Sequence, residues 1–356
     1  MARIKDIKVW AADLENTKPY TIAFKTVDTV RNAFVEIVLE NGLTGIGSGN
    51  PSEYVVGENL QQCLDALQQD NLTFLIGRDI RETNQMLFEI LTRFPKNPSA
   101  RAALDIALHD AFTKFLKIPL VKYLGQKITR LPTSNTIGIK DVSATLKEAD
   151  EYISAGFKVI KVKLGKDLEE DIERLVKLRE RFGSSVIIRV DANQGYDVNQ
   201  TITFYKRTLS LGLELIEQPL PANAVAAMRS LPDEIKNMIA ADESLISPAD
   251  AFSLITPPVA ARIFNIKLMK CGGINEARRI AEIAQLGGVD LFWGCNDESI
   301  VSITAGLHAA FSCANTRYID LDGSLDLGRD EVKGGFILRD GYMYCSERPG
   351  LGVERV

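Results

Sequence analysis

Five charged residues, Lys163, Asp191, Glu217, Asp242 and Lys267, recur along the chain at intervals of 28, 26, 25 and 25 residues. Each stands at or beside the end of a short apolar run. A repeat of about 25 residues fits one β-strand, one helix and two short loops. Units of this kind form a parallel barrel whose active site lies at the carboxyl ends of the strands. The spacing therefore predicts that three carboxylates and two amines meet at one mouth of a barrel.

The carboxylates of Asp191, Glu217 and Asp242 form a set of hard oxygen ligands. Mg²⁺ takes such ligands in octahedral geometry at about 2.0–2.1 Å and keeps positions for water or substrate. Without a cation, three neighbouring carboxylates resist joint ionisation because their charges repel. The alternative for each residue alone is a helix N-cap or a surface loop position. The shared interval favours a metal site, and Mn²⁺ stays an alternative to Mg²⁺ because both ions take oxygen ligands.

Lys161 and Lys163 are two residues apart on a predicted strand, so both amines point to the same face. Crowded like charges lower each other's pKa, and a lysine with an ordinary pKa of about 10.4 needs such a reduction to act as a base. Lys267 comes four strands later and is expected across the barrel mouth. Acid/base groups on both faces of one carbon predict stereochemical inversion, with a metal ion stabilising an enediolate-like anion. The alternative is that the lysines bridge the carboxylates structurally.

The composition excludes several classes of protein. The chain has 356 residues and a net charge of −5, with dispersed Lys and Arg, so no nucleic-acid surface is expected. No apolar run reaches about 18 residues and the amino terminus begins a charged strand pattern, which argues against a membrane span and a signal peptide. Five scattered cysteines without a C-x-x-C pair predict free thiols in a reducing cytoplasm. A homo-oligomer stays open.

The chain divides into three predicted regions. Residues 1–125 read as strands followed by helices, an α+β domain with a type I′ hairpin at Asn41-Gly42 and a helix capped by Ser99. Residues 126–324 alternate strand and helix patterns and provide eight strand positions, which predicts an α/β barrel. Residues 325–356 are β-like again and are expected to complete the first domain. We expect that domain to cover the barrel mouth.

Six short segments with polar residues in or beside apolar runs carry a family resemblance. They are Lys161-Val162-Lys163, Asp191-Ala192-Asn193-Gln194-Gly195, Ile216-Glu217-Gln218-Pro219, Ala241-Asp242-Glu243-Ser244, Ile266-Lys267-Leu268 and Pro349-Gly350-Leu351-Gly352-Val353. Together they resemble the enolase superfamily in its muconate-cycloisomerase-like subgroup, and the resemblance covers nearly the whole chain. It implies a modified (β/α)7β TIM-like barrel with an α+β amino-terminal capping domain.

The resemblance also implies roles for individual residues. Asp191, Glu217 and Asp242 would be the Mg²⁺ ligands. Lys163 and Lys267 would be the acid/base pair, acting through the enediolate route known for this superfamily. It further implies that Lys161 lowers the pKa of Lys163 and touches the substrate carboxylate, and that Asn193 lies beside the metal and the substrate.

The last predicted barrel strand carries Asp320 and Asp322 in the run Ile319-Asp320-Leu321-Asp322-Gly323. The two carboxylates alternate onto one face and suit a cation such as the ammonium of a peptide. This D-x-D pattern resembles the dipeptide epimerases, which bind an amino terminus there while the second residue is epimerised. The alternative is a turn, which Asp-Gly pairs often mark. The resemblance also places Cys295, Glu298 and Thr136 near the substrate.

One position departs from the pattern of the epimerases that act on Ala-Glu. Those enzymes use an arginine in an amino-terminal loop, whereas this chain has Phe24-Lys25-Thr26. Lys25 can pair with a carboxylate, but it lacks the bidentate geometry of arginine. We therefore expect a small or hydrophobic second residue at least as readily as Glu.

Two rival functions stand beside a dipeptide epimerase. An o-succinylbenzoate synthase or a muconate-type cycloisomerase of the same subgroup acts on a substrate without an ammonium group, so it leaves the D-x-D pair unexplained. A non-catalytic sugar- or peptide-binding barrel does not need two lysines and three carboxylates at strand ends.

Overall fold

The computed structural model describes residues 2–15, 20–21, 26–27 and 30–356 of the 356-residue chain. Lys25, a predicted substrate contact, lies outside these residues. The helices of four or more residues are Glu53–Val56, Leu60–Ala66, Gln69–Leu72, Thr83–Arg93, Pro98–Leu116, Leu120–Leu124, Val142–Ser154, Leu168–Phe182, Val198–Thr208, Val225–Ser230, Asp233–Lys236, Pro248–Ile255, Leu268–Cys271, Ile274–Leu286 and Ile300–Ser312. No helix in these described parts has the length and apolarity that crossing a membrane requires.

Eight parallel strands form the barrel, and each pairs with the next along the chain. They are Ser134–Ile137, Val159–Lys163, Ile187–Asp191, Ile216–Glu217, Ile239–Ala241, Ile263–Ile266, Asp290–Trp293 and Thr316–Ile319. An isolated bridge between Thr133 and Ile319 joins the two ends of the sheet. Helices fill the seven intervals between strands, and none follows the eighth strand within the fully described range 320–356. The predicted modified (β/α)7β barrel is confirmed.

The amino-terminal domain is an antiparallel sheet of Ile4–Asp13, Arg31–Leu39 and Thr44–Gly49, covered by the long helix Pro98–Leu116. A short pairing of Tyr20–Thr21 with Thr26–Val27 precedes the second of these strands. The long helix lies so close to the third strand that a Cβ added at Gly47 would come within 1.9 Å of the Ala103 carbonyl oxygen.

Two local predictions in this domain are wrong. Asn97, not Ser99, is at the N-cap of the long helix, and Pro98 occupies the first helical turn. Proline suits that position because its missing N–H has no partner there and its φ is already helical. At the hairpin, Gly42 has a φ of 85° and donates its N–H to the Leu39 carbonyl, while Asn41 keeps a negative φ. The turn is therefore a type I turn followed by a left-handed glycine and not type I′.

The carboxyl-terminal segment contacts both regions. Its hairpin of Phe336–Arg339 and Tyr342–Cys345 pairs with Leu131–Pro132 at the start of the barrel region. Val332–Gly334 pairs with Val353–Arg355, and the Arg355 guanidinium lies 4.6 Å from the ring centroid of Trp10 in the first domain. The assignment of this segment to the capping domain stays a prediction.

The first domain reaches the carboxyl-terminal end of the barrel. Asn50, directly after the third strand of its sheet, accepts a hydrogen bond of 3.3 Å from Asn296 in the loop after the seventh barrel strand. The Asp105 carboxylate accepts the backbone N–H groups of Ile274 and Asn275 at 2.9 and 3.1 Å. These contacts hold the domain against the loops that surround the barrel mouth.

Candidate active site

The barrel strands bring the five predicted residues to one edge. Lys163, Asp191 and Glu217 are the last residues of the second, third and fourth strands, while Asp242 and Lys267 directly follow the fifth and sixth. In the register of the sheet, Asp191 pairs with Lys163 on one side and with Glu217 on the other. The carboxyl ends of parallel strands meet at one face of the barrel, so the regular interval in the chain becomes a cluster in space.

Ion pairs connect the lysines to the carboxylates. Lys163 Nζ lies 2.6 Å from Asp191 Oδ2, and Lys267 Nζ lies 2.8 Å from Asp242 Oδ2. Lys161 is 2% exposed, and its Nζ is 2.7 Å from Glu217 Oε2 and 3.3 Å from Asp191 Oδ2. The two outer lysines are therefore held by two different carboxylates, with Lys161 between them.

The charge balance of this cluster differs from the predicted one. Burial lowers the pKa of Lys161, but Asp320, Glu217 and Asp191 together raise it well above its ordinary value. Burial also lowers the pKa of Lys267, and Asp242 and Glu217 reverse the effect and leave that pKa raised. Carboxylates therefore outweigh amines around Lys161. The role of Lys161 in lowering the pKa of Lys163 stays a prediction.

The carboxylates are buried and differ strongly in acidity. Burial and the neighbouring Asp191 raise the pKa of Glu217 to about 8. Burial raises the pKa of Asp242 as well, but Lys267 and Lys270 outweigh it and hold the pKa well below its ordinary value. Three buried carboxylates at one edge need more positive charge than the amines supply, since one of them is driven towards its neutral form.

The residues present fit a hard divalent cation. Among the described residues, no three acidic, histidine or cysteine side chains are grouped as a ready-made cage, because ammonium groups stand between the carboxylates. Asn193 Oδ1 is nevertheless buried without a hydrogen-bond partner, and Lys161 approaches Glu217 Oε2 without the alignment of a hydrogen bond. Unsatisfied oxygens among clustered carboxylates are a donor set that Mg²⁺ accepts.

The D-x-D pair is asymmetric. Asp320 Oδ1 accepts a 2.5 Å hydrogen bond from Ser134 Oγ, and its Oδ2 accepts one of 2.8 Å from Lys161 Nζ. Asp322 Oδ2 accepts the backbone N–H of Thr136 at 2.8 Å, and burial together with Asp320 raises the pKa of Asp322 to about 7. Asp320 is thus already the counter-ion of Lys161, whereas Asp322 keeps more of its capacity for another cation.

A cavity of about 330 Å³ opens over the cluster. The predicted site residues on its wall are Thr136, Lys161, Lys163, Lys267, Cys295, Asp320 and Asp322. Asn193, Glu298 and the three candidate metal ligands are not among the residues that line it. Glu298 is 3% exposed, accepts the Asn296 N–H at 3.0 Å, and has a pKa raised to about 7 by burial. The cavity wall also includes Glu148, Glu151, Asp297, Asp326, Lys140 and Lys147, and Lys140 pairs with Glu148.

Sequence reasoning missed a layer of polar residues behind the cluster. Asn265 Nδ2 donates to Glu217 Oε1 at 2.7 Å, Gln218 Oε1 accepts the Asp242 N–H at 2.9 Å, and Lys270 contacts Asp242. Inside the barrel, Arg189 donates to Ser134 Oγ at 3.1 Å and to the Ile319 carbonyl oxygen at 2.7 Å. Polar residues within otherwise apolar barrel strands, as at Asn265, are the signal that could have revealed this layer.

Comparisons with known proteins agree with this geometry. Residues 144–355 match the family described as enolase C-terminal domain-like, and residues 6–125 match the mandelate racemase/muconate lactonizing enzyme N-terminal domain. The L-Lys-D/L-Arg epimerase of Methylococcus capsulatus is 51% identical over 99% of both chains. The L-Lys-D/L-Arg epimerase of Desulforapulum autotrophicum is 51% identical over 99% of this chain and 100% of the relative.

A solved structure supports the same assignment. The dipeptide epimerase from Methylococcus capsulatus, complexed with Mg and the dipeptide L-Arg-D-Lys, superposes with a TM-score of 0.97 at 51% identity and covers 99% of both chains. The chain belongs to the enolase superfamily. Within that superfamily it is a dipeptide epimerase, and therefore an isomerase.

Proposed function

We propose that this enzyme uses Mg²⁺ to epimerise dipeptides whose side chains are cationic, with the configuration changing at the second residue. The observation that carries the proposal is that Lys163 and Lys267 line one cavity while two different carboxylates, Asp191 and Asp242, anchor them. Two amines that approach one carbon from separate anchors are what inversion through proton transfer requires.

The reaction moves one proton off the α-carbon and another onto its opposite face. One of the two lysines, in its neutral form, takes the α-proton, and the electron pair of the C–H bond moves into an enediolate of the substrate carboxylate. The ammonium of the other lysine then donates a proton to the opposite face. Lys161 and Asn193 would bind the substrate carboxylate side, and Mg²⁺ held by Asp191, Glu217 and Asp242 would supply positive charge against the growing anion.

The amino terminus of the dipeptide would bind at Asp322, with Asp320 positioning Lys161 beside it. Thr136 and Cys295 line the cavity between the D-x-D pair and the reacting lysines, and the loop that contains Glu298 borders it. Lys25 stays a predicted contact to the second residue. The roles of the other residues, all of which lie in the described part of the chain, follow from their positions relative to Lys163 and Lys267.

Cationic side chains are favoured over the small or hydrophobic second residue expected from the sequence. The two L-Lys-D/L-Arg epimerases are 51% identical to this chain. The described part of the cavity wall adds Glu148, Glu151, Asp297 and Asp326 to the D-x-D pair, and Glu148 among them is paired with Lys140. Carboxylates beside a binding site attract cationic substrates. The synthase and cycloisomerase alternatives give this charge no role.

The cellular setting follows from the cysteines. All five are free thiols, and three of them, Cys63, Cys271 and Cys345, are buried. Free thiols are typical of a reducing compartment, which supports a cytoplasmic location. A homo-oligomer stays a prediction.

Deuterium exchange tests the reaction. Dipeptides with cationic, acidic and apolar residues are incubated in deuterated water with and without Mg²⁺, and mass spectrometry locates the label. We expect one deuterium at the α-carbon of the second residue, fastest for L-Lys-L-Arg and dependent on Mg²⁺. Lys163→Ala and Lys267→Ala should each stop epimerisation while leaving exchange on one epimer, because one base remains. Lys236→Met, remote from the cavity, is the control. Absence of label from every dipeptide refutes the proposal.

A further inference from the structure

Lys270 is a buried cation next to the cluster, and it has no role in the reaction described above. It is 2% exposed, and its Nζ donates to the Asp242 carbonyl oxygen at 2.6 Å, to the Asn265 carbonyl oxygen at 3.0 Å and to Asp242 Oδ1. An ammonium has three N–H donors, so these bonds account for all of them. Lys270 is also missing from the described cavity wall. It therefore cannot exchange protons with a substrate, unlike Lys267.

The position of Lys270 follows from its spacing to Lys267. Lys267 is the N-cap residue of the short helix Leu268–Cys271, and Lys270 is three residues further on. Residues three apart on a helix face the same side. Lys267 therefore contacts Oδ2 of Asp242 and Lys270 contacts Oδ1 of the same carboxylate. The bond to Oδ1 restricts the rotation of the carboxylate and leaves Oδ2 to Lys267, which lines the cavity.

A second chain of contacts runs from Lys270 to Glu217. Lys270 holds the backbone carbonyl of Asn265, and the Asn265 side chain donates to Glu217 Oε1 at 2.7 Å. Space for this amide depends on Gly294, because a Cβ there would come within 2.6 Å of Asn265 Oδ1. Lys270 thus contacts one candidate metal ligand directly and a second one through Asn265.

We propose that Lys270 is a positioning residue that sets two of the three carboxylates, Asp242 and Glu217, for the divalent cation. This inference rests on the metal ligands given under the proposed function. Groups that hold metal ligands from behind usually matter about 10–100-fold in metal affinity or activity. Removing Lys270 also removes the hydrogen bond to Asp242 Oδ1, so Asp242 would keep only the contact of Oδ2 with Lys267 and would lose its fixed orientation.

Calorimetric titration of Mg²⁺ without substrate tests this role, because it needs no turnover. Lys270→Met keeps an unbranched side chain that is one heavy atom shorter and removes its charge and donors. We expect Mg²⁺ to bind about 10–100-fold more weakly. The direction of the change is decisive: if Lys270 were only a nearby positive charge, its loss would strengthen Mg²⁺ binding because like charges repel. Unchanged or tighter binding overturns the inference.

Matched variants separate the alternatives. Lys236→Met removes another buried lysine, whose Nζ donates to the Arg229 carbonyl oxygen at 3.3 Å. Lys236 does not line the cavity, so this variant should leave Mg²⁺ affinity unchanged. Lys270→Gln keeps two N–H donors without charge and should bind Mg²⁺ with intermediate affinity; it also serves if the Met variant fails to fold. Wild-type affinity in this variant overturns the inference as well.

Two further measurements distinguish an error in the metal-ligand assignment from an error in the role of Lys270. Asp242→Asn should lose Mg²⁺ binding, and wild-type affinity in that variant overturns the ligand assignment itself. Loss of binding in Asp242→Asn together with wild-type affinity in Lys270→Met overturns only the role of Lys270. At saturating Mg²⁺, the KM of Lys270→Met for the dipeptide should stay within about twofold of wild type, because Lys270 does not touch the cavity. A larger rise in KM overturns the inference, because it shows that Lys270 supports the substrate site and not only the metal ligands.

Discussion

Asp322→Asn should make the protein more stable and less active at once. Burial and the neighbouring Asp320 raise the pKa of Asp322 from its ordinary 3.8 to about 7. Between these pH values the folded protein keeps a proton on Asp322 that the unfolded chain has released. The free energy of unfolding therefore falls as the pH rises from about 4 to about 7. Asparagine has nearly the same shape, can still accept the Thr136 N–H and does not ionise. The free energy of unfolding of the variant therefore lacks the fall with pH that Asp322 causes in wild type.

The size of the effect follows from the pKa. A rise from 3.8 to about 7 corresponds to an upper limit of about 4 kcal/mol above pH 7, at about 1.36 kcal/mol for each pH unit. The Asp322 side chain keeps some contact with solvent, which reduces the expected gain to about 2 kcal/mol. The same change removes the charge that faces the substrate ammonium. A hydrogen bond to a charged group contributes about 1.5–3 kcal/mol, so kcat/KM should fall about 10–150-fold.

Urea unfolding in Mg²⁺-free buffer between about pH 4.5 and 7.5 measures the stability of wild type and Asp322→Asn, a range that covers most of the interval between the two pKa values. Asp65→Asn, which neutralises an exposed helical aspartate, is the control and should follow the wild-type profile. The reasoning is refuted if Asp322→Asn is no more stable than wild type at the upper pH, or if its stability falls with pH as steeply as that of wild type.

Two further variants test the packing. Burial lowers the pKa of His308 to about 3, and its Nδ1 accepts the Val121 N–H at 2.9 Å. Below about pH 6.5 only the unfolded chain binds a proton at His308. The free energy of unfolding of wild type should therefore fall by about 1.4 kcal/mol for each pH unit as the pH drops. Urea unfolding of His308→Gln should show a shallower fall. An identical slope in both proteins contradicts this. Gly47→Ala should cost about 3 kcal/mol or more in unfolding free energy, because its Cβ would overlap the Ala103 carbonyl. Gly306→Ala, whose Cβ would meet its nearest neighbour at 3.6 Å, is the matched control and should be neutral or slightly stabilising; equal costs at both glycines contradict the packing argument.

Much of the site could be predicted from the sequence because neighbouring units of the barrel are also consecutive in the chain. Each strand-helix unit is a continuous segment, so a charged residue at the end of each apolar run indicates one mouth without knowledge of the packing. Lys163, Asp191, Glu217, Asp242 and Lys267 were placed in this way. The substrate contacts depend on side chains from strands far apart, and their roles stay predictions.

Tertiary structure alone decided the charges and partners inside the cluster. The alternation of Asp320 and Asp322 predicted an acidic pair that holds an ammonium, but Lys161 and Ser134, on the first two barrel strands, already occupy Asp320. Lys270 is not part of the regular spacing of charged residues, and its contact with Asp242 is visible only in the folded structure. Periodicity in a sequence indicates which face a residue occupies, whereas a pKa or an ion pair depends on the distance to groups far away in the chain, as between Lys161 and Asp320, which are 159 residues apart.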